Sequence, residues 1–186
     1  MQNEELKELK DRLLKLLDKE ALKRGDFTLS SGKKSNYYLD GRVITLTPEG
    51  AYLVASIIIK LYEGKDISAI GGPTLGADPM VGAIAAVSHI KGIALKTFIV
   101  RKAVKEHGTQ RQIEGPELKK GDKALLVDDV ATTGRSLVEA KEILVKNGIL
   151  CDSAMVIVDR CAGAKENLNR AGLKLESIFT VKDFGL

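Results

Sequence analysis

Residues 124–136 read A-L-L-V-D-D-V-A-T-T-G-R-S and set two adjacent carboxylates, Asp128 and Asp129, directly after an apolar run. Carboxylates at the end of a buried run need partners, because an unpaired charge is costly away from water. Sugar hydroxyls, a divalent cation or cationic side chains would each serve. Thr132, Thr133, Gly134, Arg135 and Ser136 follow at once and lead into a helical pattern. Hydroxyls and free backbone N–H groups at a helix N-terminus suit a phosphate. One short segment therefore supplies an acid pair and a cradle for a terminal monophosphate, which points to a phosphorylated sugar. There is no G-x-x-x-x-G-K-[ST] segment, so an ATPase has little support.

Two further loops carry compatible chemistry. Residues 71–79, G-G-P-T-L-G-A-D-P, contain Gly72, Pro73 and Thr74. Glycines there let a backbone approach two phosphates and expose its N–H groups, although a tight strand-to-helix turn explains them equally well. The next loop opens R-K-A-V-K-E-H-G, with Arg101, Lys102, Lys105 and His107 as cations. A mobile basic loop would close over a polyphosphate and exclude water. The plain alternative is a solvated charge run, and Glu106 sits within it. The loop's length, to Gly121, and its glycines favour a lid. Together the loops suit a ligand with a pyrophosphate, a ribose and a monophosphate. A metal would be Mg²⁺, held mainly by the ligand's own oxygens, with Asp128 the nearest protein group.

The elements that must position these loops are legible from periodicity. Residues 4–23 place Leu6, Leu9, Leu13, Leu14, Leu16, Leu17 and Ala21 on one helical face, with Gly25 as a stop. Residues 27–42, polar and turn-rich with Tyr37 and Tyr38 adjacent, read as a hairpin or irregular segment outside the main sheet. Thr47-Pro48-Glu49 starts a helix to about Tyr62. Strands are expected over 67–70, 93–100, 123–127, 153–158 and 173–180. Helices are expected over 78–91, 136–147 and 163–170. Residues 101–121 are expected to be one long polar loop. Strands alternating with helices predict an α/β fold, with a parallel sheet flanked by helices on both faces. In such a sheet the three loops leave from the same edge and converge on one site.

Size and composition narrow the class. A chain of 186 residues suits a single domain, 1–186. With no Trp and only four Phe, a stacking platform for single-stranded nucleic acid is disfavoured. The net charge of +4 suits solubility or an anionic substrate, and no groove-reading motif is visible, so nucleic acid is not expected as a partner. Cys151 and Cys161 lack metal-ligand spacing and read as reduced thiols, the first in the core. The charged, amphipathic N-terminus is unlike a signal peptide, and no apolar run is long enough to span a membrane. A cytoplasmic protein without a membrane partner is expected.

V-D-D-V-A-T-T-G-R-S resembles the phosphoribosyl pyrophosphate signature of the type I phosphoribosyltransferases. Residues 27–42, F-T-L-S-S-G-K-K-S-N-Y-Y-L-D-G-R, resemble the N-terminal substrate segment of the orotate phosphoribosyltransferases, and R-K-A-V-K-E-H-G resembles their catalytic loop. The resemblance runs in order from about residue 27 to 160. It implies the type I phosphoribosyltransferase fold, with a hood over about 1–45 and a core over about 46–186. It also implies transfer of phosphoribosyl from phosphoribosyl pyrophosphate to orotate, with Mg²⁺, in pyrimidine synthesis. Carried over by position, Arg101, Lys102, Lys105 and His107 bind pyrophosphate, and Asp128 and Asp129 face the ribose. Residues 132–136 hold the 5'-phosphate, with Thr132 also reaching orotate. Arg160 pairs with the orotate carboxylate, and Lys33, Tyr37 and Tyr38 line the substrate side. Lysines that many members carry are absent at Ser30 and Gly76; Lys33 or Lys34 are the candidates to stand in. Family members are dimers whose loop reaches the neighbouring site, so a homodimer with shared active sites is implied. The rivals are a phosphoribosyltransferase for another base, a non-catalytic sensor of the same ligand, and a structural domain with coincidental loops. Lys105→Ala is expected to cut turnover strongly while leaving the melting temperature in place; near-normal turnover would remove Lys105 from its role.

Overall fold

Apolar alternation along the central strand explains the layers. In β6 (Lys123–Ala131), Leu125 and Val127 point to one face of the sheet and Ala124 and Leu126 to the other, and all are fully or almost fully buried. A strand buried on both faces needs a helical layer on each side. The computed structural model describes residues 2–28, 34–102 and 111–186, and supplies both layers. On one face α1 (Gln2–Leu16), α3 (Pro48–Tyr62) and α4 (Asp78–Ile90) cover a core built on Leu13, Leu53, Ile57 and Ile84. On the other, α5 (Arg135–Lys146) and α6 (Ala164–Arg170) contribute Leu137, Leu144 and Leu168.

Among the described residues the main sheet has the order β5-β4-β3-β6-β7-β8. Its strands are β3 (Ala69–Pro73), β4 (Lys96–Val100), β5 (Ile113–Glu114), β6, β7 (Leu150–Asp159) and β8 (Lys174–Thr180). All pairs are parallel except the edge strand β5, which runs antiparallel to β4. The expected mostly parallel α/β sheet is present. From β3 the chain moves outward through β4, and from β6 it moves outward the other way through β7 and β8. The β3–β6 seam is therefore the switch point, whose carboxyl ends form a crevice. A separate hairpin of β1 (Leu22–Thr28) and β2 (Lys34–Leu39) forms the hood, and a short helix α2 (Arg42–Thr45) joins it to the core.

Several boundaries differ from expectation, each for a local reason. The first helix ends at Leu16 and passes through a π-helical turn, Leu17–Ala21; Leu22 already pairs with Leu39 in the hairpin. Gly25 does not stop the helix. It lies in β1 with φ of 146°, where the register slips between Arg24 and Phe27. The polar stretch after β4 is not all loop, since β5 pairs Ile113 with Val100. The helix cap at Thr47 is as expected, with its hydroxyl accepting the Gly50 N–H at 3.1 Å.

Two extensions bear on function. Strand β3 runs on through Gly71, Gly72 and Pro73, all buried and paired with β4, so the first loop starts only at Thr74. Strand β6 runs on through both aspartates to Ala131, because β7 continues alongside it and pairs Asp128 with Val156 and Ala131 with Asp159. The acids are thus fixed by a strand rather than carried on a loop. Gly72 serves the seam itself: a methyl there would lie 1.9 Å from the Val127 carbonyl oxygen. Gly72→Ala is therefore expected to cost about 1–3 kcal/mol or more, since backbone must shift to admit it. Thermal unfolding should show a clear drop, and an unchanged melting temperature would mean the seam is looser than drawn.

Candidate functional site

A cleft of about 360 Å³ lies over the β3–β6 seam. Its walls come from 74–76 after β3, from Asp128, Asp129 and Val130 of β6, from Thr132 and Ser136, from Arg160 after β7, and from 38–40 and Arg42 of the hood. The segments after the parallel strands β3, β6 and β7 thus contribute, while the described residues after β4 do not line this cleft.

The acid pair forms the floor. Asp128 is 7% exposed, and its Oδ2 accepts from Ser136 Oγ at 3.0 Å while its Oδ1 accepts the Asp129 N–H at 3.0 Å. Asp129 Oδ1 accepts the Val130 N–H at 2.8 Å. Burial pushes the Asp128 carboxyl up to about 7, and the neighbouring Asp129 charge adds to it. Burial likewise raises Asp129, against the N–H bond from Val130 that lowers it. Two glycines flank the pair. A methyl on Gly76 would fall 2.2 Å from Asp128 Oδ1 and 2.6 Å from Asp129 Oδ1; one on Gly41 would fall 2.7 Å from Asp129 Cβ. Gly76 carries no side chain because the carboxylates fill that space.

Beside the acids a second hollow, about 170 Å³, is formed by Asp128 and residues 130–137. Gly134 opens α5 with φ of 74°, and no side chain caps the helix there. A side chain at Gly134 would strike Leu168 at 2.9 Å, and the Thr133 carbonyl is pinned by Asn167 Nδ2 at 3.0 Å. The loop is thereby held with its amide end open. Thr132, Thr133, Gly134 and Ser136 come together as expected. The Arg135 side chain does not join them: Nε donates to Glu139 at 2.7 Å along the outside of the helix.

At the far end Arg160 is held by the hood. Its Nε donates to the Tyr37 hydroxyl at 3.0 Å, Nη2 lies 3.4 Å from Ser35 Oγ, and its guanidinium sits 4.6 Å from the Tyr37 ring centre. Tyr37 thus acts on Arg160, while Tyr38 lines the cleft directly and packs on Phe27. Arg101 stands beside Thr74 and Leu75 in an adjoining hollow and pairs with Glu114 at 3.6 Å. Lys102 is exposed. Lys34 bonds Thr28 at 2.8 Å on the hairpin and does not reach the cleft. Lys33, Lys105 and His107 lie outside the described residues, as does Ser30. Gly72 and Pro73 are buried in β3, and Thr74 alone of that trio lines the cleft.

Sequence reading missed Ser35, Asp40, Gly41 and Arg42. Only the hairpin's pairing brings them over the seam; no spacing rule announces it. Among the described residues no group of three or more His, Cys, Asp or Glu could hold a metal ion.

The acid pair, the 132–136 turn and Arg160, which the type I phosphoribosyltransferase resemblance singled out, line one cleft, and comparison with known proteins shows the family. Residues 44–185 match the phosphoribosyl transferase domain. The chain is 42% identical over 175 residues to an orotate phosphoribosyltransferase of a Nostoc species, covering 94% of this chain and 84% of that one. The Mycobacterium tuberculosis orotate phosphoribosyltransferase in complex with Fe(III) dicitrate superposes with a TM-score of 0.82 at 36% identity, over 96% of this chain and 99% of that one. The same protein in complex with 5-phospho-alpha-D-ribosyl 1-diphosphate gives a TM-score of 0.79 at 33% identity, with the same coverage. This chain belongs to the phosphoribosyl transferase domain family and, within it, to the orotate phosphoribosyltransferases.

Proposed function

We propose that the protein transfers the 5-phosphoribosyl group from phosphoribosyl pyrophosphate to orotate, giving orotidine 5'-monophosphate and pyrophosphate in pyrimidine synthesis. The observation that carries this reading is the acid pair, buried Asp128 and half-buried Asp129, set between an uncapped helix end and Arg160 in one cleft. The 5'-phosphate sits on the amides and hydroxyls of 132–136. The ribose lies over Asp128 and Asp129, which accept from its hydroxyls. Orotate lies toward Arg160, whose guanidinium fork suits a carboxylate.

The reaction is substitution at the anomeric carbon, with the bond to pyrophosphate breaking ahead of the bond to the base nitrogen. The sugar passes through an oxocarbenium-like state. No covalent nucleophile is required, and catalysis is positioning plus charge stabilisation. The acids do both: they orient the hydroxyls and favour the cationic ring. Arg101, Lys102, Lys105 and His107 receive the leaving pyrophosphate. The donor set fits Mg²⁺, since the buried Asp128 and the half-buried Asp129 offer hard oxygens, and substrate oxygens would complete the shell. When bound, Mg²⁺ supplies charge neutralisation to the pyrophosphate. We further propose a homodimer in which the basic loop of one subunit serves the site of the other, working in the cytoplasm; among the described residues no helix is long and apolar enough to cross a membrane.

Loss of orotate ultraviolet absorbance with phosphoribosyl pyrophosphate and Mg²⁺, and none with uracil, hypoxanthine or adenine, is the expected assay result. Arg160→Ala should then raise the KM for orotate by about tenfold or more, the loss of a charge-assisted bond. Turnover of a different base, with orotate inert, would overturn the acceptor assignment.

The raised Asp128 carboxyl also makes a stability prediction. Its proton is held more tightly in the folded state than in the unfolded chain, where the ordinary value is 3.8. Its cost to stability is therefore absent below that value, accrues as the pH rises, and is complete above about 7. Asp128→Asn removes the charge, so at pH 8 the ligand-free variant should melt higher, by roughly 4–8 °C for on the order of 2 kcal/mol. The gain should shrink toward pH 4, while turnover is lost. A variant that melts lower than the parent at pH 8 would show that the pair is not under this burden.

A further inference from the structure

Asp40 and Arg42 are the charged residues of the cleft that the reaction as described leaves unused. Arg42 Nε and Nη2 donate to Asp40 Oδ1 and Oδ2, each at 3.0 Å, and the Arg42 backbone N–H donates to Oδ1 at 3.1 Å. This is a two-point grip that fixes the plane of the guanidinium. It engages two of the five donors of an arginine and leaves the others to face away from Asp40. The Arg42 side chain is 45% exposed and that of Asp40 21%, so the arginine stands at the rim over a better-covered carboxylate.

The rim position faces the acid pair. Gly41 packs directly on Asp129, and the next residue is Arg42. Burial raises the Asp129 carboxyl, and both members of the pair reach it, the Asp40 charge raising it and the Arg42 charge lowering it. Across Asp129 lies Gly76, and Thr74, Leu75 and Gly76 offer no charge. Among the described residues lining the cleft the charged side chains are Asp40, Asp128, Asp129, Arg42 and Arg160. Arg160 is turned to Tyr37 and Ser35 at the other end. A sugar carrying phosphate and pyrophosphate must therefore lie against three carboxylates, and the cation of the described lining that is not turned to the hood tyrosine is Arg42, while Arg101 stands outside this lining, beside Thr74 and Leu75 in the adjoining hollow.

We propose that Arg42, aimed by Asp40, binds the pyrophosphate group of the phosphoribosyl donor at the hood rim of the cleft. The inference rests on the reading of the cleft as a phosphoribosyl pyrophosphate site. A guanidinium gripped on one edge by a carboxylate presents its other edge to phosphate oxygens, for which its fork geometry is matched. Arg42 then offsets Asp129 as the donor arrives and adds directed hydrogen bonds that a mobile lysine would not hold in place. Asp40 is the positioning residue: it touches Arg42 and does not contact the ligand.

The test uses the full chain with Mg²⁺ and compares Arg42→Ala, Arg42→Lys and Asp40→Asn with the parent, by steady-state kinetics and by calorimetric titration of phosphoribosyl pyrophosphate. Arg42→Ala should weaken donor binding and raise its KM by about ten- to hundredfold, leaving the KM for orotate within about twofold. Arg42→Lys should recover part of the loss, since the charge returns without the fork. Asp40→Asn should shift the donor KM in the same direction by less, with kcat close to that of the parent. Unchanged donor affinity in Arg42→Ala, or an equal rise for orotate and donor, would overturn the proposal. Should Arg42→Ala fail to fold, Arg42→Lys and Asp40→Asn carry the decision: donor affinity unchanged in both overturns it. A parent that binds the donor but does not consume orotate would refute the acceptor reading and leave the calorimetric test of Arg42 intact.

Discussion

Two adjacent carboxylates held at the end of a strand buried on both faces set the terms for everything around them. The strand cannot give way, because Asp128 and Ala131 are in register with Val156 and Asp159 of the next strand. The neighbours yield instead. Gly41 and Gly76 have no side chains where the acids stand, and Ser136 and the Asp129 amide spend their hydrogen bonds on Asp128. Even so, burial holds the Asp128 carboxyl near 7. Burial and the neighbouring Asp129 charge thus both favour a positive charge beside Asp128. In the proposed function, a hydroxyl-rich sugar that gains positive character answers that preference, and an ordinary anion does not.

Much of this was readable from residues 124–136 alone. The apolar run, the acid pair, and the small hydroxyl turn that opens a helix define a strand end and a phosphate cradle without any knowledge of the fold. The alternation of strands and helices gave the sheet, because buried parallel strands and amphipathic helices have distinct periods. What escaped was pairing. Asp128 and Asp129 read as loop residues, since polar side chains mark strand ends unless a neighbour prolongs the ladder. Gly72 and Pro73 read as ligand-facing, whereas the strand needs Gly72 to pack against Val127. Gly25 read as a helix stop and proved to relieve a slip in the hairpin. The roles of Ser35, Asp40 and Arg42 arise only when the hood folds over the seam, which no local pattern encodes.

The hood is what turns a crevice into a site. A two-stranded hairpin is marginal alone. Here Leu22 and Leu39 sink into the main core, Arg24 reaches the Phe184 carbonyl at 3.1 Å, and Arg160 clasps Tyr37. The last contact is reciprocal: the core arginine steadies the hood, and the hood tyrosine orients the arginine. Arg160 is thus presented in a fixed direction before any ligand arrives, which limits the ordering cost of recognition.

The charge layout follows from which element each group rides on. In the proposed function the cradle of 132–136 binds through amides and hydroxyls, since Arg135 is turned outward to Glu139. It attracts a phosphate through backbone dipoles without placing a full positive charge next to the anomeric centre. Full charges stand apart: acids on the central strand, Arg160 after the next strand, Arg42 on the hood. Had Arg135 pointed inward, its charge would have neutralised the acids that must favour a cationic sugar ring. Separating neutral phosphate recognition from the acid floor lets one small cleft hold an anion tightly and still stabilise a cation beside it.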